Sequence, residues 1–217
     1  MKNTLLNVGS SATELSQAAE SSIDLFIESE ALAEIPFVEY AFSIKSARDK
    51  YLVAKVTRNY ANFIKSASQL NEHEAIHLTN EIFADNDKAE EASETIFDII
   101  TEAERPLKAE VLGNLCVHFA KNNISLDDFN TLTQVMRSAS LPALRSVKSF
   151  LESNQHKPYR NGMGQNEYEA LLQSMGVAVR NGTSFRLDNW GIMLAYYGFN
   201  IPVEGFERAM ELRNQAS

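Results

Sequence analysis

The sequence predicts a mainly α protein, with a helical bundle over residues 1–153 and a small winged-helix-like subdomain, helix then β-hairpin then helix, over residues 154–217. Three observations carry that expectation. Apolar residues recur at three- and four-residue steps through most of the first 153 positions, the spacing that puts them on one side of a helix. Helix-start and helix-stop residues divide those stretches into short, closely connected segments. Near the end, the pair Asn181-Gly182 stands between two strand-like runs, the strongest short-range hairpin signal.

In order along the chain, residues 1–10 show no pattern, and a helix is expected from Ser10 or Ser11 with Leu15, Ala19, Ile23, Phe26 and Ile27 inward. Pro36 ends it, because the residue before proline is pushed away from helical geometry. The same proline opens a long amphipathic helix, Ile35 to Lys65, on which Val38, Phe42, Leu52, Val56, Tyr60, Phe63 and Ile64 form the apolar side. Asn71 is a good N-cap with Glu74 as its capping-box acid, and the short helix that follows carries Ile76, Asn80 and Phe83. Asp85 or Asp87 is expected to cap the next helix, whose stripe is Ala89, Ala92, Ile96, Ile99, Ile100 and Ala103. Pro106 opens a helix with Leu107, Val111, Leu112, Leu115, Cys116 and Phe119 inward, ended by Asn122-Asn123. Ser125 with Asp128 starts another through Phe129, Leu132, Val135 and Met136, and after Ser140 a last bundle helix carries Leu144, Val147, Phe150 and Leu151. Connections this short favour antiparallel neighbours.

Residues 154–165 are polar and rich in turn formers, which places a boundary there. Tyr168, Leu171, Leu172 and Met175 mark a short helix ended by Gly176. The hairpin follows, with a type I′ turn expected at Asn181-Gly182. Two short helices close the chain, one through Trp190, Met193, Leu194 and Tyr197, the other from Gly205 to Asn214.

The 44% hydrophobic and 23% charged content belongs to ordinary globular chains and excludes disordered and fibrous classes. A net charge of −9 argues against a dedicated nucleic-acid binder, whose affinity comes from neutralising phosphates. Charge is segregated. Residues 71–104 hold eleven acids against Lys88 alone, whereas residues 45–65 hold six cations against Asp49 alone. Faces so biased pair within the fold or between protomers, or stay solvated. The lone Cys116 lies in an apolar helical pattern, so it reads as a small buried hydrophobe in a reducing compartment. No secretory h-region and no eighteen-residue apolar window are present, so a cytoplasmic protein without a membrane span is expected.

One literal enzyme motif occurs, His73-Glu74-Ala75-Ile76-His77. On a helix the two histidines face one way and can hold zinc while Glu74 acts as general base on bound water. Against this, the Asn71 cap places His73 in the first turn, no strand precedes the motif, and Asn80 and Phe83 stand where the extended motif has glycine and a third histidine. A di-iron bundle site would need a second Glu-x-x-His pair, and only Glu74 and His77 supply one. In the tail, Arg180 and Arg186 flank the wing and could meet phosphate, but Glu167 and Glu169 occupy the helix that would approach the nucleic-acid groove. Trp190, Tyr196, Tyr197 and Phe199 read as core or interface aromatics ahead of a base-stacking platform. The basic long helix could lie on an anionic membrane surface, although its dispersed apolar positions suit a central bundle helix better.

The runs Glu34-Ile35-Pro36-Phe37-Val38 and Ser46-Ala47-Arg48-Asp49-Lys50, with Lys55 and Phe63, are similar to a pattern in a group of uncharacterised bacterial all-helical proteins with a short winged tail. Lys108-Ala109-Glu110-Val111-Leu112-Gly113 and Asp127-Asp128-Phe129 resemble the same group, over about residues 20–195 in all. The resemblance implies a bacterial source and an all-helical body, and it carries no activity or catalytic residues. By shape alone the group is similar to small abortive-infection proteins, which implies a part in phage defence. The expected function is therefore a non-enzymatic, cytoplasmic protein-interaction module or assembly component with a protein partner or self-association and no cofactor. The alternatives are a zinc-dependent hydrolase using His73, Glu74 and His77 and a winged-helix nucleic-acid binder using Arg180 and Arg186.

Overall fold

The computed structural model describes residues 47–82, 84 and 86–216. The helix expected from Ser10, the first part of the long helix, and the places of Phe83 and Asp85 lie outside them. The chain forms two compact units, Met1–Thr133 and Gln134–Ser217. It is mainly helical, with a small antiparallel sheet near the C-terminus, as the apolar periodicity predicts.

The first unit contains α1 (Ala47–Ala67), α2 (Glu72–Ile82), α3 (Asp87–Glu102) and α4 (Leu107–Ala120) and enters α5 (Leu126–Ser138), inside which the division falls. The long helix α1 packs mainly on α4 and secondarily on α3, while α2 lies against α4 and α3. Tyr60, Phe63 and Ile64 of α1 are buried as expected. Leu52 is not: it is 42% exposed, because the fully buried stretch of α1 begins two turns later, at Asn59. At the α1–α4 crossing a Cβ on Gly113 would stand 2.6 Å from Ser66 Cβ and 2.7 Å from the Phe63 carbonyl oxygen, so the absence of a side chain permits the approach.

The reciprocal cap expected at α2 is present. The Asn71 N–H donates to Glu74 Oε2 at 3.0 Å, and the Glu74 N–H donates to Asn71 Oδ1 at 2.9 Å. The buried face of α2 is Ala75, Leu78, Thr79 and Ile82, whereas Ile76 and Asn80 point outward. A single apolar residue at each turn left the register of so short a helix ambiguous, and packing against α4 selected the Leu78–Ile82 side. The cap of α3 is Asn86, whose Oδ1 accepts from Ala89 N–H at 3.0 Å, so Asp87 serves as the first helical residue. An acid there still faces the positive end of the helix. The apolar stripe of α3 is buried throughout.

Three polar side chains at i, i+3 and i+4 of α1 hold the C-terminal end of α3. Lys55 Nζ donates to the Glu102 carbonyl at 3.1 Å, Arg58 Nη2 to that of Glu104 at 3.5 Å, and buried Asn59 Nδ2 to those of Ile100 at 3.1 Å and Ala103 at 2.7 Å. The basic flank of α1 thus meets the acidic segment through backbone carbonyls at a helix C-terminus, where cations and donors are stabilising.

The second unit holds α6 (Leu141–Ser153), β1 (Tyr159–Asn161), α7 (Glu167–Ser174), β2 (Ala178–Asn181), β3 (Ser184–Leu187), α8 (Asn189–Met193) and α9 (Phe206–Ala216), with a π-helical turn at Leu194–Gly198. Ser140 caps α6 through the Ala143 N–H at 3.3 Å, and Leu144, Val147, Phe150 and Leu151 are fully buried. The sheet order is β1-β3-β2, all antiparallel. Strand β1 was not expected. Three residues between Pro158 and Gly162 are too few to show alternation, and pairing with β3 is what makes them a strand.

The hairpin forms, with a different turn. Asn181 pairs with Ser184, so the two loop residues are Gly182 and Thr183, and Gly182 alone has positive φ, at 59°. Glycine at the first central position is the type II′ arrangement, which spares threonine the left-handed region that type I′ would impose. No described helix is long and apolar enough to cross a membrane.

Candidate functional site

Successive side chains on a strand point to opposite faces, so the register sorts the sheet of the second unit into two rows across all three strands. On one face Arg160, Phe185 and Arg180 stand side by side. On the other stand Tyr159, Arg186 and Val179.

The first row is inward and locked. Phe185 is fully buried against Phe150, ring edge to face at 5.1 Å. The arginines on either side grip one carboxylate, that of Glu169 on α7, which is itself fully buried. Arg160 Nε donates to Oε1 at 2.6 Å, and Arg180 Nη2 donates to Oε2. Both guanidinium groups also donate to the Gly164 carbonyl, at 2.9 and 3.1 Å. Burial by itself would raise the Glu169 carboxyl; the hydrogen bonds from Arg160 and Arg180 outweigh it and hold the group below the usual carboxylate range. The Asn166 N–H completes the cluster and makes Glu169 the acid of a capping box on α7. A buried acid satisfied on both oxygens ties β1, β2, α7 and the β1–α7 loop together.

The second row is outward and uncovered. Tyr159 is 43% exposed and Val179 42%, with Arg186 exposed between them. Facing this row across an open groove of about 480 Å³ are Ala209, Leu212 and Arg213 of α9. Leu187 and Ile192 line its deeper part. Leu212, 56% exposed, leaves a large apolar side chain in solvent on a helix whose neighbours are charged. Arg213 lies over the ring of Trp190 at 4.9 Å, a cation–π contact that holds the guanidinium plane at the groove wall. Asp188, also on the lining, caps α8 by accepting the Gly191 N–H at 2.9 Å, and burial raises its carboxyl while that bond and one from Trp190 partly offset the shift. Tyr196 stacks on Phe206 with centroids 3.8 Å apart, joining the π turn to the start of α9. A π-helical turn is a local departure found often beside functional surfaces.

The residues singled out from the sequence are not gathered in one place. His73 is exposed in the first turn of α2, Glu74 is engaged in the capping box, and His77 Nε2 pairs with Asn122 Oδ1 at 2.9 Å beside the Phe119 ring. Among the described residues no three His, Cys, Asp or Glu side chains converge as metal ligands. Cys116 is fully buried, which pushes its thiol pKa far upward and keeps it from acting as a nucleophile. Arg180 and Arg186, alike in sequence as wing cations, point to opposite faces: the first is spent on Glu169, the second stands in the groove. Trp190 is half-buried and Tyr197 buried. Sequence reasoning missed Glu169 as an internal residue. Its three-residue offset from Asn166, the spacing of a capping box, was the available signal. Neither a protein-family model, nor a curated protein, nor a solved structure matches the chain.

Proposed function

We propose that the protein is a cytoplasmic protein-interaction module that docks a segment of another protein in the groove between the outer face of its C-terminal sheet and α9. The observation that carries this reading is the uncovered row Tyr159, Arg186 and Val179 facing Leu212. Exposed apolar side chains scattered singly need no explanation, but several lining one concave surface with a few polar groups are the usual composition of a binding site. Two further facts favour docking over the alternatives. Glu74, the base a zinc hydrolase would need, serves its own helix cap, and Arg180, one of the two cations of a nucleic-acid wing, is turned inward onto a buried acid.

The test is a selection of random peptides on the immobilised full-length chain, run in parallel on Val179→Asp and Leu212→Asp. Val179 and Leu212 are exposed, so both variants should keep the wild-type circular dichroism. Peptides that enrich on the wild type and on neither variant are the expected outcome. Enrichment indifferent to both substitutions, or none at all, overturns the reading.

A further inference from the structure

The charge of the groove deepens that reading, on which this inference rests. In a chain of net charge −9, the cations lining the groove are Arg186, central in the exposed row, and Arg213 on the opposite wall. No ion pair or hydrogen bond to the Arg186 guanidinium occurs among the described residues. That sets it apart from Arg160 and Arg180 on the other face, whose guanidinium groups are committed to Glu169 and Gly164. Asp188, the acid on the lining, is directed to the N-terminus of α8.

We infer that the occupant is an acidic, apolar peptide segment of a partner protein, with its apolar side chains between Tyr159, Val179 and Leu212 and a carboxylate on Arg186. The chemistry of the lining selects this class. Arginine offers a planar fork matched to a carboxylate, and an arginine flanked by Tyr159 and Val179 on a half-apolar surface is weakly hydrated and ready to pair. The groove is open to solvent, and its volume takes a few side chains. The same cations reject basic segments, so specificity comes from repulsion as well as attraction.

The molecule carries its own reporter, since Trp190 is the single tryptophan and Arg213 lies on its ring. Three tryptophan-free peptides of leucine and phenylalanine alternating with glutamate, glutamine or lysine are titrated into the full chain, and Trp190 emission is followed. The glutamate peptide is expected to bind about tenfold more tightly than the glutamine one, a difference of about 1.4 kcal/mol, and to weaken in high salt. Arg186→Glu should transfer the preference to the lysine peptide. Equal affinity of glutamate and glutamine peptides, both lost in Val179→Asp, overturns the acidic partner and leaves the docking groove standing. Absence of binding by all three, or binding unchanged in Val179→Asp, overturns both. Concentration-dependent self-association abolished by Val179→Asp would put a second copy in the groove and overturn the inference as well.

Discussion

Arg160 Nε donates to Glu169 Oε1 at 2.6 Å, while Tyr159, one residue earlier on the same strand, stands open to solvent on the opposite face. The inward pair fixes β1 against α7, and the alternation of the strand then presents Tyr159, with Arg186 and Val179 in register, as the wall of a groove. The buried cluster therefore builds the exposed site.

Replacing Glu169 by Gln should show how much of the second unit depends on that cluster. Removing one charge of a buried pair leaves its partners uncompensated, and the expected loss is about 3 kcal/mol. Urea titration followed by Trp190 emission reads it directly, because the only tryptophan lies in this unit. A midpoint equal to the wild type would show the cluster to be energetically neutral.

Acid should weaken the same unit through the same residue. The Glu169 pKa is lowered on folding, so its contribution is complete above the ordinary glutamate value of about 4.3 and is lost as pH falls through the depressed folded value. Stability measured across that acid range should decline in the wild type, and the decline should be shallower in Glu169→Gln.

Gly113→Ala tests the α1–α4 crossing. The added methyl would meet the Phe63 carbonyl and Ser66 Cβ, so the helices must separate or bend. A cost of about 1–3 kcal/mol is expected despite the better helix propensity of alanine, seen as a lower thermal midpoint by circular dichroism. An unchanged or raised midpoint would mean that the helices yield without loss.

Asn59→Ala removes both donors to the end of α3 and leaves the Ile100 and Ala103 carbonyls without them in a buried place. The expected destabilisation is about 1–3 kcal/mol. Amide exchange in the last turn of α3 should rise selectively, and uniform exchange across α3 would contradict the capping role.

Helical periodicity was legible in most stripes long enough to outvote chance, although Leu52 on the long stripe of α1 is exposed. In α3 and α6 the expected inward residues are buried, and in α4 all but half-buried Leu107 are, since four to six apolar positions at one spacing leave a single face. Where a helix had few, as in α2, the face came out displaced, with Ile76 in solvent. Three caps were legible for the same local reason, since Asn71 with Glu74, Ser125 with Asp128 and Ser140 act within a few positions of themselves, whereas the α3 cap fell on Asn86 instead of a neighbouring acid. The groove was not legible. Its wall is a three-residue strand, and its charge depends on which of two arginines faces out.

Local spacing along the chain thus determined the helical class, most of the helix faces and the presence of a hairpin, because each follows from interactions between residues only a few positions apart. Tertiary structure alone decided that Tyr159 to Asn161 form a strand, that Glu169 goes inside, and that Arg180 and Arg186 part company. Those outcomes depend on cross-strand register and on a buried charge finding two partners, and both bring together residues that lie up to some 27 positions apart in sequence.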